Sequence, residues 1–81
     1  MLNVFFFSLI LKIREDFDPA IFNLALVLHE QGRPLDAVPY LLRLNNRHLK
    51  GLVLLGNIYF NHLNDYQAAK EVVFLFLFSN F

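Results

Sequence analysis

This 81-residue chain contains no cysteine, which excludes disulfide staples, thiolate nucleophiles and cysteine metal sites together and leaves reducing and oxidising compartments equally open. It has no Asn-x-Ser/Thr sequon, hence no acceptor for N-glycosylation. Net charge is absent as well. Seven basic residues balance seven acidic ones, so no surplus of one sign steers the chain to nucleic acid or to an acidic surface. Glycine is scarce: Gly32, Gly51 and Gly56 stand far apart, and no glycine-rich loop is available to cradle a phosphate.

What the chain has in excess is apolar surface. Hydrophobic residues make up 57% of it, against roughly 45–50% in ordinary soluble domains. Two runs stand out. Val4 to Leu11 is nearly all apolar, yet a bilayer span needs about 20 such residues. As a signal peptide it lacks a basic leader and a small-residue cleavage site, and Lys12 and Arg14 follow the run instead of preceding it. Val72 to Phe78 is apolar on every helical face, uncharged, proline-free and rich in β-formers, the signature of an aggregating segment.

Helical spacing dominates the middle. Ile21, Leu24, Ala25 and Leu28 recur at i, i+3, i+4 and i+7, one buried face. Asp18-Pro19 ahead of them marks a start, because Asp caps free amides and proline suits a first turn. Gly32 supplies a left-handed stop, so a helix is expected over 19–31. Pro34 opens a second helix through Ala37, Leu41 and Leu44, ended by Asn45-Asn46, with Pro39 inside expected to kink its first turns. A third is expected over 49–61 on Leu52, Leu55, Ile58 and Tyr59, and Asn64-Asp65 caps a fourth from Tyr66 onward.

The chain also repeats itself. Gly56 stands 31 residues after Ala25, and Ala68 stands 31 after Ala37. Small residues let antiparallel helices cross closely, so Ala25 is expected to face Ala37 and Gly56 to face Ala68. Glycine inside a helix costs roughly 1 kcal/mol relative to alanine, which suggests a packing reason at Gly56. Leu55-Gly56-Asn57-Ile58-Tyr59 with Ala68, and more loosely Leu24-Ala25, Leu28, Gly32 and Ala37, resemble the tetratricopeptide repeat. The spacing is shorter than the usual 34, Leu63 stands where that repeat has its turn glycine, and the repeat-ending proline is missing. The resemblance implies an all-α fold of two antiparallel helix-turn-helix hairpins, a fragment of a right-handed α-solenoid. Repeat one would cover 18–48 and repeat two 49–78, with an apolar segment over 1–17 and a tail over 79–81. If the first segment is an extra helix, Leu2, Leu9 and Ile13 share a side that would cover the open face of repeat one.

A narrower likeness follows from Phe22-Asn23-Leu24-Ala25-Leu26, from Gly32-Arg33-Pro34-Leu35-Asp36-Ala37-Val38-Pro39-Tyr40-Leu41, and from His48-Leu49-Lys50-Gly51-Leu52 with Gly56-Asn57-Ile58-Tyr59. These resemble the C-terminal repeats of the transmembrane and tetratricopeptide-repeat O-mannosyltransferases. Those are endoplasmic-reticulum membrane proteins that mannosylate cadherins, with chemistry in a multi-span region and repeats in the lumen. The Phe-rich ends lie outside the resemblance.

In the repeat family the first helix of each unit lines a concave groove. The alignment implies that Phe22, Leu26, His29 and Glu30 face it from repeat one, and Val53, Asn57, Phe60 and Asn61 from repeat two. Only Asn57 suits the Lys, Asn and Arg clamp with which some members grip a terminal carboxylate, so an apolar or mixed peptide or helix is the expected ligand. The alternative is that Phe22 and Leu26 pack on a neighbouring repeat that is not part of this sequence.

Chemistry is not expected. His29, His48 and His62 share no helical spacing, so a metal site would need them to converge in the fold, and surface or capping roles suit them better. Glu15, Asp16 and Asp18 gather at a helix start, where negative charge suits the dipole. Arg43, Arg47, His48 and Lys50 form one basic cluster, either a solvated helix end or a landing place for an acidic segment. No catalytic residue, cofactor or metal is assigned.

Three readings compete: a non-catalytic module binding a protein or peptide, a fragment of an O-mannosyltransferase acting on cadherin-like proteins with its catalytic region elsewhere, and a small membrane-associated chain. The resemblance implies the endoplasmic reticulum; without it the first reading is cytoplasmic. Repeat arrays generally need about three units and polar caps, so neighbouring repeats or self-association are expected to complete this one.

Overall fold

The computed structural model describes residues 4–44 and 47–79, and every regular element among them is helical. In chain order these are α1 Val4–Ile13, α2 Asp18–Glu30, α3 Pro34–Leu44, α4 Leu49–Asn57 and α5 Tyr66–Ser79. α4 runs on without a break into one π-helical turn, Ile58–His62. α2 pairs with α3 and α4 with α5, giving two hairpins; α1 lies against α2, and α3 meets α4 across the junction.

Local chemistry sets the bounds of the first hairpin. Gly32 adopts φ +78°, and the Arg33 N–H donates to Leu28 O at 2.9 Å, closing the C-terminus of α2. Pro34 then opens α3, which runs through Pro39 with that ring exposed. The expected helix end at Asn45-Asn46 lies outside the described residues. At the start of α2 the sequence reading needs correction. Phe17 holds the capping position and makes no side-chain bond, while Asp18 is already helical. The Asp18 carboxylate instead accepts two hydrogen bonds from Arg47, from Nε at 3.0 Å and from Nη2 at 3.1 Å. A guanidinium fork engages both oxygens of a carboxylate, which a cap bond cannot.

The core is apolar throughout. Ile21, Leu24, Ala25 and Leu28 of α2 are buried as their spacing predicted, together with Ala37, Leu41 and Leu44 of α3. Leu52, Leu55 and Ile58 continue it, with Val72 from α5, and no polar or charged residue is buried among those described. The close approach between hairpins lies at Gly51. A Cβ there would sit 3.1 Å from Leu44 Cδ1 and 3.3 Å from His48 Nδ1, so any larger residue would have to push these side chains back by a few tenths of an ångström.

α1 covers α2, but with a different face from the expected one. Phe7 is buried and Val4, Ile10 and Leu11 are half-buried, whereas Leu9 is 53% and Ile13 83% exposed. Leu2 lies outside the described residues. The run is apolar all round, so periodicity could not choose between two equally spaced stripes; the stripe with Phe7 is the one that faces inward.

The second hairpin is not an exact translation of the first. α4 begins 31 residues after α2, but α5 begins 32 after α3. The π-helical turn holds the extra residue: the Leu63 N–H donates to Ile58 O at 3.1 Å and the Asp65 N–H to Tyr59 O at 2.8 Å, five and six residues back. Leu63, at the expected turn-glycine position, therefore keeps φ −103°. The left-handed residue is Asn64, at +51°, a type that tolerates it. Asp65 then caps α5 as predicted, its Oδ1 accepting the Ala68 N–H at 3.1 Å.

This slip overturns one pairing. Ala69, only 5% exposed, takes the buried place that corresponds to fully buried Ala37, and Ala68 is half-buried. Gly56 looks at Val72, not at Ala68: a Cβ on Gly56 would meet Val72 Cγ1 at 3.4 Å and nothing of Ala68 within 4 Å. That is ordinary contact, so packing does not require glycine there.

Candidate protein-binding surface

The residues aligned to the groove fall into two groups. Phe22, Leu26 and His29 of α2 are half-buried, while Glu30 and, on α4 and its π-turn, Val53, Asn57, Phe60 and Asn61 are exposed. Phe22 is committed inside the molecule. Its ring stacks on His48, centroids 4.6 Å apart at 25°, and His48 caps α4 by accepting the Gly51 N–H on Nδ1 at 3.0 Å. The half-buried Phe22 ring is thus taken up in part by a contact within the chain itself.

Two histidines that sequence spacing kept apart come together. The rings of His29 and His62 meet edge to face at 5.3 Å, joining the end of α2 to the π-turn. His29 Nε2 is buried and without a hydrogen-bond partner. Repeat alignment could not have found this pair, because 31 residues beyond His29 stands Phe60. No set of three His, Cys, Asp or Glu able to hold a metal occurs among the described residues.

Along the exposed side of α4 the amides are tied to one another. Asn61 Nδ2 donates to Asn57 Oδ1 one turn earlier, which leaves the Asn57 amide hydrogens and the Asn61 carbonyl free to meet a ligand. Phe60 packs on Tyr66, centroids 5.0 Å apart, and is still 55% exposed. Of the aligned positions, Leu26, His29, Asn57, Asn61 and Phe60 carry aliphatic, aromatic or amide side chains, and Glu30 carries an exposed negative charge.

The basic cluster is mostly occupied. Arg47 holds Asp18, and Arg43 donates through Nη2 to the backbone carbonyl of Glu15. Arg14 pairs with Asp16 at 3.3 Å and lies over the Phe17 ring at 5.1 Å. The Arg47 hydrogen bond holds the Asp18 carboxyl below the usual carboxylate range, against the opposing effect of partial desolvation. These contacts bind the α1–α2 loop and the start of α2 to the end of α3 and the residue ahead of α4, so Arg43 and Arg47 serve the fold.

A second concave feature escaped the sequence reading. Val53, Gly56 and Asn57 of α4 and Val72, Val73 and Phe76 of α5 wall an apolar cleft of about 180 Å³ at the open end of the second hairpin. Among the described residues no helix is long and apolar enough to cross a membrane.

Comparison with known proteins supplies the setting. The chain is similar to protein O-mannosyl-transferase Tmtc3 of Drosophila melanogaster, 48% identical over 69 residues, which cover 82% of this chain and 8% of that protein. It is also similar to protein O-mannosyl-transferase TMTC3 of Homo sapiens, 41% identical over 64 residues, or 75% of this chain and 7% of that protein. No protein-family model and no solved structure matches it. The chain spans less than a tenth of the length of these relatives. Across most of its own length, then, this pair of helical hairpins resembles one short stretch of the protein O-mannosyl-transferases.

Proposed function

We propose that the chain is a helical-repeat segment that binds protein, within the setting of an O-mannosyl-transferase whose catalytic part lies outside it. The observation that carries this reading is the lopsided match: 82% of the chain aligns with 8% of the fly enzyme at 48% identity. A stretch so small relative to the whole suits a module that positions acceptors or partners better than one that transfers a sugar. The aliphatic, aromatic and amide side chains of Leu26, His29, Asn57, Phe60 and Asn61 support a peptide or helix segment as ligand. The family resemblance supports the endoplasmic reticulum as its setting and cadherin-like proteins as the acceptors of the whole enzyme.

A graft tests the proposal. The matching stretch of the fly protein is exchanged for this chain, and mannosylation of its acceptors is measured in cells lacking the native enzyme. The graft is expected to retain transfer. Leu26→Glu with Phe60→Glu in the graft should reduce acceptor binding and transfer while the protein is still made at normal level. Sugar transfer by the isolated 81-residue chain, or indifference of the graft to both substitutions, would overturn it.

A further inference from the structure

Sequence spacing gives His29 and His62 no shared helical face, yet the fold brings their rings together. His29 stands in the last turn of α2, and His62 ends the π-turn that follows α4. The ring centroids are 5.3 Å apart, with the planes at 84°. Zinc–nitrogen bonds of about 2.0–2.1 Å meeting at a tetrahedral angle set the centres of two ligating imidazoles roughly 5 Å apart. The separation already present matches that of a chelating pair. Where rings meet edge to face, one must turn about its Cβ–Cγ bond for both nitrogens to converge. His62 is exposed and has room to turn, and that torsion is soft in histidine. Because the two rings lie against each other, the same turn uncovers part of the half-buried His29 ring.

The surroundings suit a cation. His29 Nε2 is buried with no hydrogen-bond partner. Buried polar atoms nearly always have one, and a neutral imidazole nitrogen is a common metal ligand. Both rings stand at helix C-termini, where the backbone dipole favours positive charge. The remaining histidine is engaged elsewhere: His48 Nδ1 accepts the Gly51 N–H, and its ring stacks on Phe22. Among the described residues no carboxylate joins the pair to make a set of three. Imidazole ligands without carboxylates select zinc, nickel or copper over calcium or magnesium.

We propose that His29 and His62 form a two-imidazole site for a divalent transition-metal ion, zinc foremost, with water in the remaining coordination positions. A bound ion ties the end of α2 to the tip of the second hairpin and so holds the two hairpins together. The site shares His29 with the protein-binding surface but does not rest on that reading or on the transferase setting.

Isothermal titration calorimetry of the full chain with zinc chloride alone tests it, after circular dichroism has shown each variant to be helical. One ion per chain is expected. Zinc should also raise the thermal midpoint, because an ion that binds only the folded chain stabilises it. His62→Ala, at an exposed position, and His29→Gln should each weaken binding by about tenfold or more, since loss of even a group supporting a ligand does as much. His48→Asn should bind zinc as the natural chain does. Binding should fade in acid, where protons compete for the imidazoles, and magnesium should not displace the ion. Undiminished zinc binding by the His62→Ala chain would overturn the proposal, as would loss of binding in a helical His48→Asn chain or no uptake of zinc at all. One ion for two chains would overturn it too, because the metal would then join separate copies.

Discussion

The imidazole of His48 lies almost flat on the ring of Phe22, 4.6 Å from centroid to centroid, while its Nδ1 accepts the Gly51 N–H in the first turn of α4. One side chain thus starts the second hairpin and anchors it to the first. Phe22→Ala is expected to cost about 2 kcal/mol, less than a full core truncation because the ring is half-buried. His48→Asn keeps a capping acceptor but loses the stack, whereas His48→Ala loses both, the cap being worth about 1 kcal/mol. Urea unfolding of the single and double variants should show a coupling of roughly 0.5–1.5 kcal/mol between Phe22 and His48; strictly additive losses would mean that the rings only touch.

The two glycines of α4 should respond in opposite directions. At Gly56 a methyl group meets only Val72, at ordinary contact distance, so Gly56→Ala should stabilise by about 1 kcal/mol through helix propensity. At Gly51 the added carbon crowds Leu44 and His48, at 3.1 and 3.3 Å. Gly51→Leu should therefore destabilise by about 1–3 kcal/mol, seen as a lower thermal midpoint.

The one-residue slip sets a contrast between adjacent alanines. Ala69 is buried and Ala68 is not, so Ala69→Leu should cost about 2 kcal/mol by overpacking, and Ala68→Leu much less. The reverse ranking in chemical denaturation would restore the uniform 31-residue register.

Acid should loosen the tie between the start of α2 and the junction ahead of α4. Because the Arg47 hydrogen bond lowers the folded-state pKa of Asp18, its contribution is complete above the ordinary carboxylate value, near 3.9. It is lost as pH falls through the lower folded value. The stability difference between the natural chain and Asp18→Asn should be flat at neutral pH and vanish in strong acid. A difference that persists at the lowest pH would assign Asp18 another role. Salt should shrink it too, since both groups are exposed.

The outer face of α5 leaves Phe74 and Phe78 60% and 62% exposed, packed only on each other at 4.6 Å. Replacing both with lysine should convert an associating chain into a monomer at tens of micromolar by light scattering, with helicity kept. If association survives, the apolar outer face of α1 is its source.

The helices of the first hairpin were readable almost to the residue, since Pro19, Gly32 and Pro34 each act on the backbone within a turn. The capping of α5 by Asp65 was readable for the same reason. Other features left no local trace. A π-turn has no side-chain signature, so counting at a fixed spacing carried Ala68 into the place of Ala69 and Leu63 into that of Asn64. On α1, apolar on every side, two stripes were equivalent in pattern and only the packed neighbour decided. The meeting of His29 with His62 depends on where that π-turn aims its last residue, and the cleft beside α5 is defined by what does not cover it. Phe22 was placed on the groove because a repeat alignment assigns faces, whereas the adjacent cap that claims its ring is a matter of distance.

The π-turn at Ile58–His62 has one more consequence, for how length variation enters such a chain. An additional residue in a regular helix would rotate everything after it by about 100°, turning the inward side of α5 to the water. Here the loosened turn absorbs the surplus before the reversal at Asn64, so α5 resumes with Ala69 and Val72 inward. The hairpin tip acts as an expansion joint: units of unequal length can follow one another in the primary chain while the stacked array keeps its phase.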